Sequence, residues 1–248
     1  MTAQGGPAAG RDIESVLATR LGLASFRPGQ LEVIEAVLAG RDAVAVLPTG
    51  GGKSLTFQLP ALVTGRCSLV VSPLVALMRD QVVSACGRGV RAESLHSGVP
   101  NAERAHVLAR VRAGVTELLY VSPEGLGHLR ADLAGDTPFG LFAVDEAHCI
   151  SQWGHDFRPD YRDLAAARAC VAPTSPLLAV TATATRLVEA DLIADLRLVD
   201  PFVFRGTFFR SNLRLAAWRK DDATDAREAV AALLRAHGED AAIVYRTS

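Results

Sequence analysis

Two stretches of this sequence carry residue types at spacings that suit phosphate chemistry. The first is Leu47-Pro48-Thr49-Gly50-Gly51-Gly52-Lys53-Ser54, which follows an apolar run and opens a helical pattern. Its glycines allow a tight turn that brings backbone N–H groups up to a polyphosphate. The helix that follows points its positive end at the same anion. Lys53 is placed to reach the β- and γ-phosphates, and the Ser54 hydroxyl suits Mg²⁺. The strict G-x-x-x-x-G-K-[ST] pattern has Leu47 at its first position, while Gly52-Lys53-Ser54 is intact. The bland alternative is a Gly-rich turn with a surface lysine. The second stretch is the apolar Phe139–Val144 running into Asp145-Glu146-Ala147-His148. A buried strand that ends in two acids puts them at the carboxyl edge of a parallel sheet, where ligands of such sheets bind. Asp145 suits Mg²⁺, and Glu146 suits the orientation and deprotonation of a water. His148 is placed to link them to a neighbouring segment. Taken alone, the acid pair also fits a helix cap. Taken with the phosphate loop, it reads as a site for nucleotide hydrolysis.

The elements that must position these residues follow from hydrophobic period. Helices are expected over 12–21, 30–38, 53–62, 74–84, 101–111, 161–169 and 186–195. Short apolar runs at 43–47, 68–71, 90–95, 117–121, 139–144 and 177–180 read as strands. This alternation predicts a parallel sheet with helices on both faces. Leu74, Leu77 and Met78, at helical spacing, read as core. The rhythm changes near Pro201, with extended segments to Trp218, a helix over 221–237 and a strand over 241–245. The chain is therefore expected to divide into a flexible segment at 1–10, a main body over 11–205, and a linker with the start of a second unit over 206–248.

Composition bounds the partner classes. Of 248 residues, 49% are hydrophobic and 21% charged, too apolar for a disordered chain. Lys and Arg number 26 against 27 Asp and Glu, a net charge of −1 that neither predicts nor excludes nucleic acid, because binding depends on local patches. No apolar run is long enough to span a membrane, and no secretory signal pattern opens the sequence. The four cysteines form no CxxC pair and read as small buried hydrophobes in a reducing, cytoplasmic setting. The Ala-, Arg- and Gly-rich composition suits a high-GC bacterial genome.

Beyond these two stretches, the sequence resembles the RecQ family of DNA helicases, within helicase superfamily 2, from about Leu21 to its end. The most specific segment is Asp145-Glu-Ala-His-Cys-Ile-Ser-Gln-Trp-Gly-His-Asp-Phe-Arg-Pro-Asp-Tyr161, similar to the family's aromatic-rich loop. Phe26-Arg-Pro-Gly-Gln30 resembles the motif upstream of the phosphate loop. Val71–Gln81, Leu119–Leu126 and Thr181–Thr185 resemble motifs Ia, Ib and III. Phe209–Leu213 resembles the interlobe linker, and Ala242–Ser248 the opening of motif IV. Gly125, Ser211 and Arg246 depart from the family's usual Arg, Pro and Cys.

The resemblance implies an α/β, RecA-like P-loop fold with a parallel sheet and helices on both faces, plus the start of a second RecA-like lobe. It implies ATP and Mg²⁺ as cofactors and single-stranded or duplex-junction DNA as partner, with 3′-to-5′ unwinding. Phe26, Arg27, Gln30, Thr49, Gly50, Gly51, Gly52, Lys53 and Ser54 would bind nucleotide. Lys53, Asp145, Glu146, His148 and Gln152 would form the catalytic set, with Ser54 and Asp145 on the metal. Trp153 and Phe157 would stack on bases, with Gln152, His155 and Arg158 relaying DNA binding to the ATP site. Ser72, Arg79 and Tyr120 would contact the DNA backbone, and Thr181 and Thr183 would couple the two sites. The family's motifs V and VI would fall beyond Ser248. The expectation is therefore a chain that binds nucleotide and DNA without unwinding a duplex by itself. The readings that remain beside this one are a non-catalytic nucleotide- or DNA-binding module, a superfamily 2 RNA-dependent ATPase and an unrelated P-loop kinase.

Overall fold

The computed structural model describes residues 12–133, 139–154, 158–161, 163–207, 213, 226–238 and 241–245. The chain divides into two compact units, Met1–Thr207 and Phe208–Ser248.

In the first unit, helices α1 (Ile13–Leu21) and α2 (Gln30–Leu38) precede strand β1 (Ala43–Val46). There follow α3 (Leu55–Thr64), β2 (Cys67–Val71), α4 (Val75–Gly87), β3 (Ala92–Leu95), α5 (Asn101–Arg112), β4 (Leu118–Val121), α6 (Pro123–Leu133) and β5 (Phe139–Val144). Short 3-10 turns at Ala147–Ile150 and Pro159–Tyr161 lead to α7 (Leu164–Val171), β6 (Leu177–Thr181), α8 (Arg186–Asp195) and β7 (Phe202–Arg205). The strands form one parallel sheet in the order β3-β4-β2-β5-β6-β1-β7.

The central strands are apolar throughout because both faces are covered. Their period of two sorts side chains into two layers. Ala45, Val70, Tyr120, Ala143 and Val180 join one core with α1 to α4, including Val33, Ile34, Phe57 and Met78. Val44, Leu69, Val71, Leu119, Val144 and Ala179 join the other with α5 to α8, including Val111, Leu129 and Leu192. The local signals are ordinary ones. Asp12 caps α1 by accepting from the Glu14 N–H at 3.2 Å, and Gly22, at φ +65°, closes the helix in the left-handed region.

Several expectations need correction. The helix expected from Lys53 starts at Leu55, because Lys53 and Ser54 wind as a turn. Helix α6 is an addition to the expected elements, since Gly125 and Gly127 break its pattern. Leu74 is exposed, because it lies just before α4, whereas Met78 is fully buried. Cys67 and Cys149 are buried, but Cys86 and Cys170 are exposed.

In the second unit, helix α9 (Ala226–Ala236) forms within the span expected to be helical. Ala241–Tyr245 is not a strand but an exposed, irregular segment. A strand needs a neighbour to satisfy its ladder, and no strand of the second unit lies among the described residues. Among the described residues, no helix is long and apolar enough to cross a membrane.

Candidate functional site

The carboxyl edge of the sheet gathers the residues singled out from the sequence. The phosphate loop leaves β1, the acid pair leaves β5, and β6 lies between them, ending at Thr181. Gly50 and Gly52 adopt φ of +77° and +74°, a backbone that other residues rarely take. Gln30 is buried beneath the loop. Its Nε2 donates to the carbonyls of Gly51 and Gly52, both at 3.0 Å, and its Oε1 accepts from the Arg27 N–H at 2.8 Å. Gln30 thus grips the phosphate loop. Arg27 lines a neighbouring cleft of about 380 Å³ with Leu23, Ser25, Gln58 and Arg88. Phe26, expected at the nucleotide, packs instead against the core of the α1–α4 layer. Leu23 and Ser25 escape a reading of the sequence because they precede the motif. Thr49 and Gly50 are exposed on the outer side of the loop.

One direct contact and one bridge through Gln81 join the loop to the acid pair. Lys53 Nζ lies 2.7 Å from Glu146 Oε1. Ser54 Oγ donates to Gln81 Oε1 at 3.3 Å, and Gln81 Nε2 donates to Asp145 Oδ2 at 3.1 Å. Tyr120 donates its hydroxyl to the same Gln81 oxygen at 3.1 Å. In the sequence Gln81, on α4, is only the end of a motif. A helical glutamine has no signature of its own, and only its place beside Tyr120 of β4 and Asp145 reveals the bridge. Asp145 is 3% exposed, and its Oδ1 accepts from the Glu146 N–H at 3.0 Å. Burial, helped by the charge of Glu146 and opposed by Lys53, pushes its carboxyl up from 3.8 to about 6. Glu146 sits at φ +47°, which turns its side chain back toward Lys53.

A second chain of contacts runs from Glu146 to β6. His148 is buried, with Nδ1 3.4 Å from Glu146 Oε2 and 2.8 Å from Thr181 Oγ1. The Thr181 hydroxyl donates to the Thr183 carbonyl at 3.1 Å. Thr183 returns its N–H to Thr181 Oγ1 at 3.3 Å.

The expected DNA-facing residues divide into three groups. Trp153 is 72% exposed, its N–H donating to Ser151 Oγ at 3.1 Å. Arg79 is exposed on α4, and Arg158 donates to the Pro73 carbonyl at 3.1 Å, holding the loop against the end of β2. Ser72 and Tyr120 are wholly buried, which corrects the expectation that they touch a DNA backbone. Tyr120 lies on β4, which is covered on both faces, and supports Gln81, while Ser72 follows the last residue of β2 and donates its N–H to the Val121 carbonyl at 3.0 Å. Gln152, expected in the catalytic set, is exposed; among the described residues it makes no hydrogen bond to Lys53 or Glu146. It lines a separate cleft of about 370 Å³ with Trp153, Asp191 and Asp195. His155 and Phe157 lie outside the described residues. A third cleft of about 190 Å³, with His96, Ser97, Arg104, Glu124, Gly125 and His128, opens beyond β3 and β4 at the same edge and includes the end of the Leu119–Leu126 segment.

Residues 27–190 match the family model for the DEAD/DEAH box helicase. The chain belongs to that family. It is 43% identical over 200 residues to the ATP-dependent DNA helicase RecQ of Pasteurella multocida, covering 80% of this chain and 32% of that one. It is 45% identical over 198 residues to the ATP-dependent DNA helicase Q-like 4B of Arabidopsis thaliana, covering 76% of this chain and 17% of that one. The chain thus spans a third or less of these relatives. Among solved structures, a hypothetical ATP-dependent RNA helicase from Sulfolobus tokodaii superposes with a TM-score of 0.58 at 21% identity, over 78% of this chain and 56% of that one. At that identity the likeness shows the RecA-like fold alone.

Proposed function

We propose that this chain is the first motor lobe of a RecQ-type, ATP-dependent DNA helicase that unwinds with 3′-to-5′ polarity. The observation that carries the reading is the Lys53–Glu146 contact at 2.7 Å. It brings the phosphate loop and the acid pair into one site, on the segment that continues directly to the exposed Trp153. The similarity to RecQ helicases supports DNA as the polymer.

The geometry supports a sequence of roles. ATP enters with its phosphates over Gly50–Ser54 and its base toward the cleft at Leu23 and Arg27. Lys53 moves from Glu146 to the β- and γ-phosphates, which frees Glu146 to orient and deprotonate the attacking water. Ser54 Oγ and Asp145 Oδ2 are hard oxygen donors bridged by one glutamine, and this donor set fits Mg²⁺. Mg²⁺ would supply charge neutralisation at the phosphates. His148 holds Glu146 to Thr181, so a change at the acid reaches the loop after β6. Trp153 offers a stacking face that any base can use. Work on DNA in the bacterial cytoplasm, in repair or recombination, follows from this reading.

The test is ATP hydrolysis with and without single-stranded DNA or RNA, beside Lys53→Ala and Glu146→Gln. DNA-stimulated turnover lost in both variants is the expected result. Stimulation by RNA in preference to DNA would favour a superfamily 2 RNA-dependent ATPase. Nucleotide binding that Lys53→Ala leaves unchanged would sink the reading altogether.

A further inference from the structure

Strand β7 is the edge strand beside β1, and the chain passes from it through Gly206 and Thr207 out of the first unit. Its last residues touch three segments of the nucleotide site. The Phe204 ring lies so close to Gly29 that a methyl group there would sit 2.0 Å from Cε1. Gly206 donates its N–H to the Val46 carbonyl at 2.8 Å, and a methyl group on it would meet Pro48 Cδ at 3.1 Å. Between them, Arg205 reaches over β6's exit loop. Its Nη1 donates to the Ala184 carbonyl at 2.7 Å and its Nη2 to the Thr185 carbonyl at 3.5 Å. Nε and Nη2 both hold Glu189 Oε2, at 3.1 and 2.5 Å.

These contacts answer a physical need. The loop Thr181–Thr185 is anchored at its start by the His148–Thr181 hydrogen bond. Its far end presents two carbonyls beyond the last ladder position of β6. A guanidinium is the one side chain with enough donors, in a fixed plane, to hold two carbonyls and a carboxylate together. Glu189, on the first turn of α8 and 12% exposed in its side chain, keeps that plane in place.

We propose that Arg205 is a positioning residue that clamps the Thr181–Thr185 loop to β7. Rearrangement at Glu146 and His148 is thereby transmitted to the strand by which the chain leaves the first unit. The proposal rests on the reading of the Lys53–Glu146 site as a nucleotide site, and it adds a mechanical output to it. Nothing in the sequence alone marks Arg205 for this role.

Amide hydrogen exchange tests it, on peptides covering 181–189 and 202–207, with and without Mg²⁺ and the non-hydrolysed analogue AMP-PNP. Nucleotide affinity is measured separately by displacement of a fluorescent analogue. In the wild-type chain, AMP-PNP is expected to slow exchange in both segments. In Arg205→Ala, exchange at 183–185 rises about tenfold without nucleotide, since charge-assisted hydrogen bonds are lost. AMP-PNP affinity stays within about twofold, because the phosphate loop is untouched, but protection no longer extends to 202–207. Arg205→Lys keeps the Glu189 pair and loses one carbonyl, so it falls between. Protection of 202–207 that survives in Arg205→Ala overturns the proposal, as does full restoration by lysine, which reduces the clamp to a simple ion pair. A wild-type chain that does not bind AMP-PNP overturns the nucleotide reading instead. The clamp is then read from the nucleotide-free exchange rates, and equal rates in wild type and Arg205→Ala refute it.

Discussion

Replacing Asp145 with asparagine is expected to stabilise the nucleotide-free chain while destroying the site. Asp145 is an acid whose folded midpoint, about 6, lies above its unfolded value of 3.8. Between those values the folded chain holds a proton that the unfolded chain has lost, so stability falls as pH rises through the window. Below 3.8 both states are protonated and there is no penalty. Above about 6 the penalty is complete, at about 3 kcal/mol. Asparagine carries no charge and avoids it. It also gives up one of the two hydrogen bonds that the carboxylate accepts from Gln81 and Glu146, at a cost of about 1 kcal/mol. The net gain at pH 8 is about 2 kcal/mol, equivalent to about 5 °C in Tm for a chain of this size. The assay is thermal unfolding of wild type and Asp145→Asn from pH 4 to pH 8, in EDTA so that no cation shares the carboxylate. The difference should be absent or reversed at pH 4 and grow through pH 5 to 7. A variant less stable at every pH, or a gain independent of pH, refutes the argument that burial of an underpaired charge governs this position.

Three further outcomes follow from the same geometry. Glu146→Gln removes the anion that competes for Lys53, so ATP affinity measured with a fluorescent analogue should hold or rise, while turnover falls by about 100-fold or more; weaker binding would show that the pair preorganises Lys53. Trp153→Ala should weaken single-stranded DNA binding by about tenfold without moving Tm, because the ring is 72% exposed and contributes little to the core; a drop in Tm would mean that it packs. Gly29→Ala should cost about 2–3 kcal/mol in a denaturant titration, since its φ of +83° and the Phe204 ring both reject a methyl group; a neutral effect would show that β7 yields freely at this contact.

Much of this is legible in the sequence because it depends on local rules. The helix at 30–38 is read from its helical period and the strand from the apolar run at 43–47, which the structure ends at Val46, and the phosphate loop and acid pair announce themselves by composition. What the sequence hides is direction. On a strand covered on both faces, every side chain is apolar or small, so period does not say which residues reach the surface. That is why Tyr120, on β4, is expected on DNA and is found buried, as is Ser72 just past the end of β2. Partnership across the sheet is hidden too. Gln81 bridges Ser54 to Asp145, and Arg205 holds carbonyls about twenty residues away. Neither relation leaves a mark in the order of residues, because the packing of helices on the sheet creates both.

The groups of the site are not separate but form a closed network. Lys53 is held by Glu146, Ser54 and Asp145 are held by the two ends of Gln81, and His148 is held by Thr181. Ligand binding must therefore exchange partners, and the free energy of the old contacts is subtracted from the affinity for the new ones. On the proposed reading, the same subtraction makes the site a switch. A phosphate that takes Lys53 leaves Glu146 beside His148, and His148 is fixed to the loop that Arg205 clamps. A site of free, unpaired groups would bind more tightly and transmit nothing, because no existing contact would have to break. If the chain acts as the proposed motor lobe, the affinity given up to the Lys53–Glu146 pair is what would couple nucleotide binding to movement.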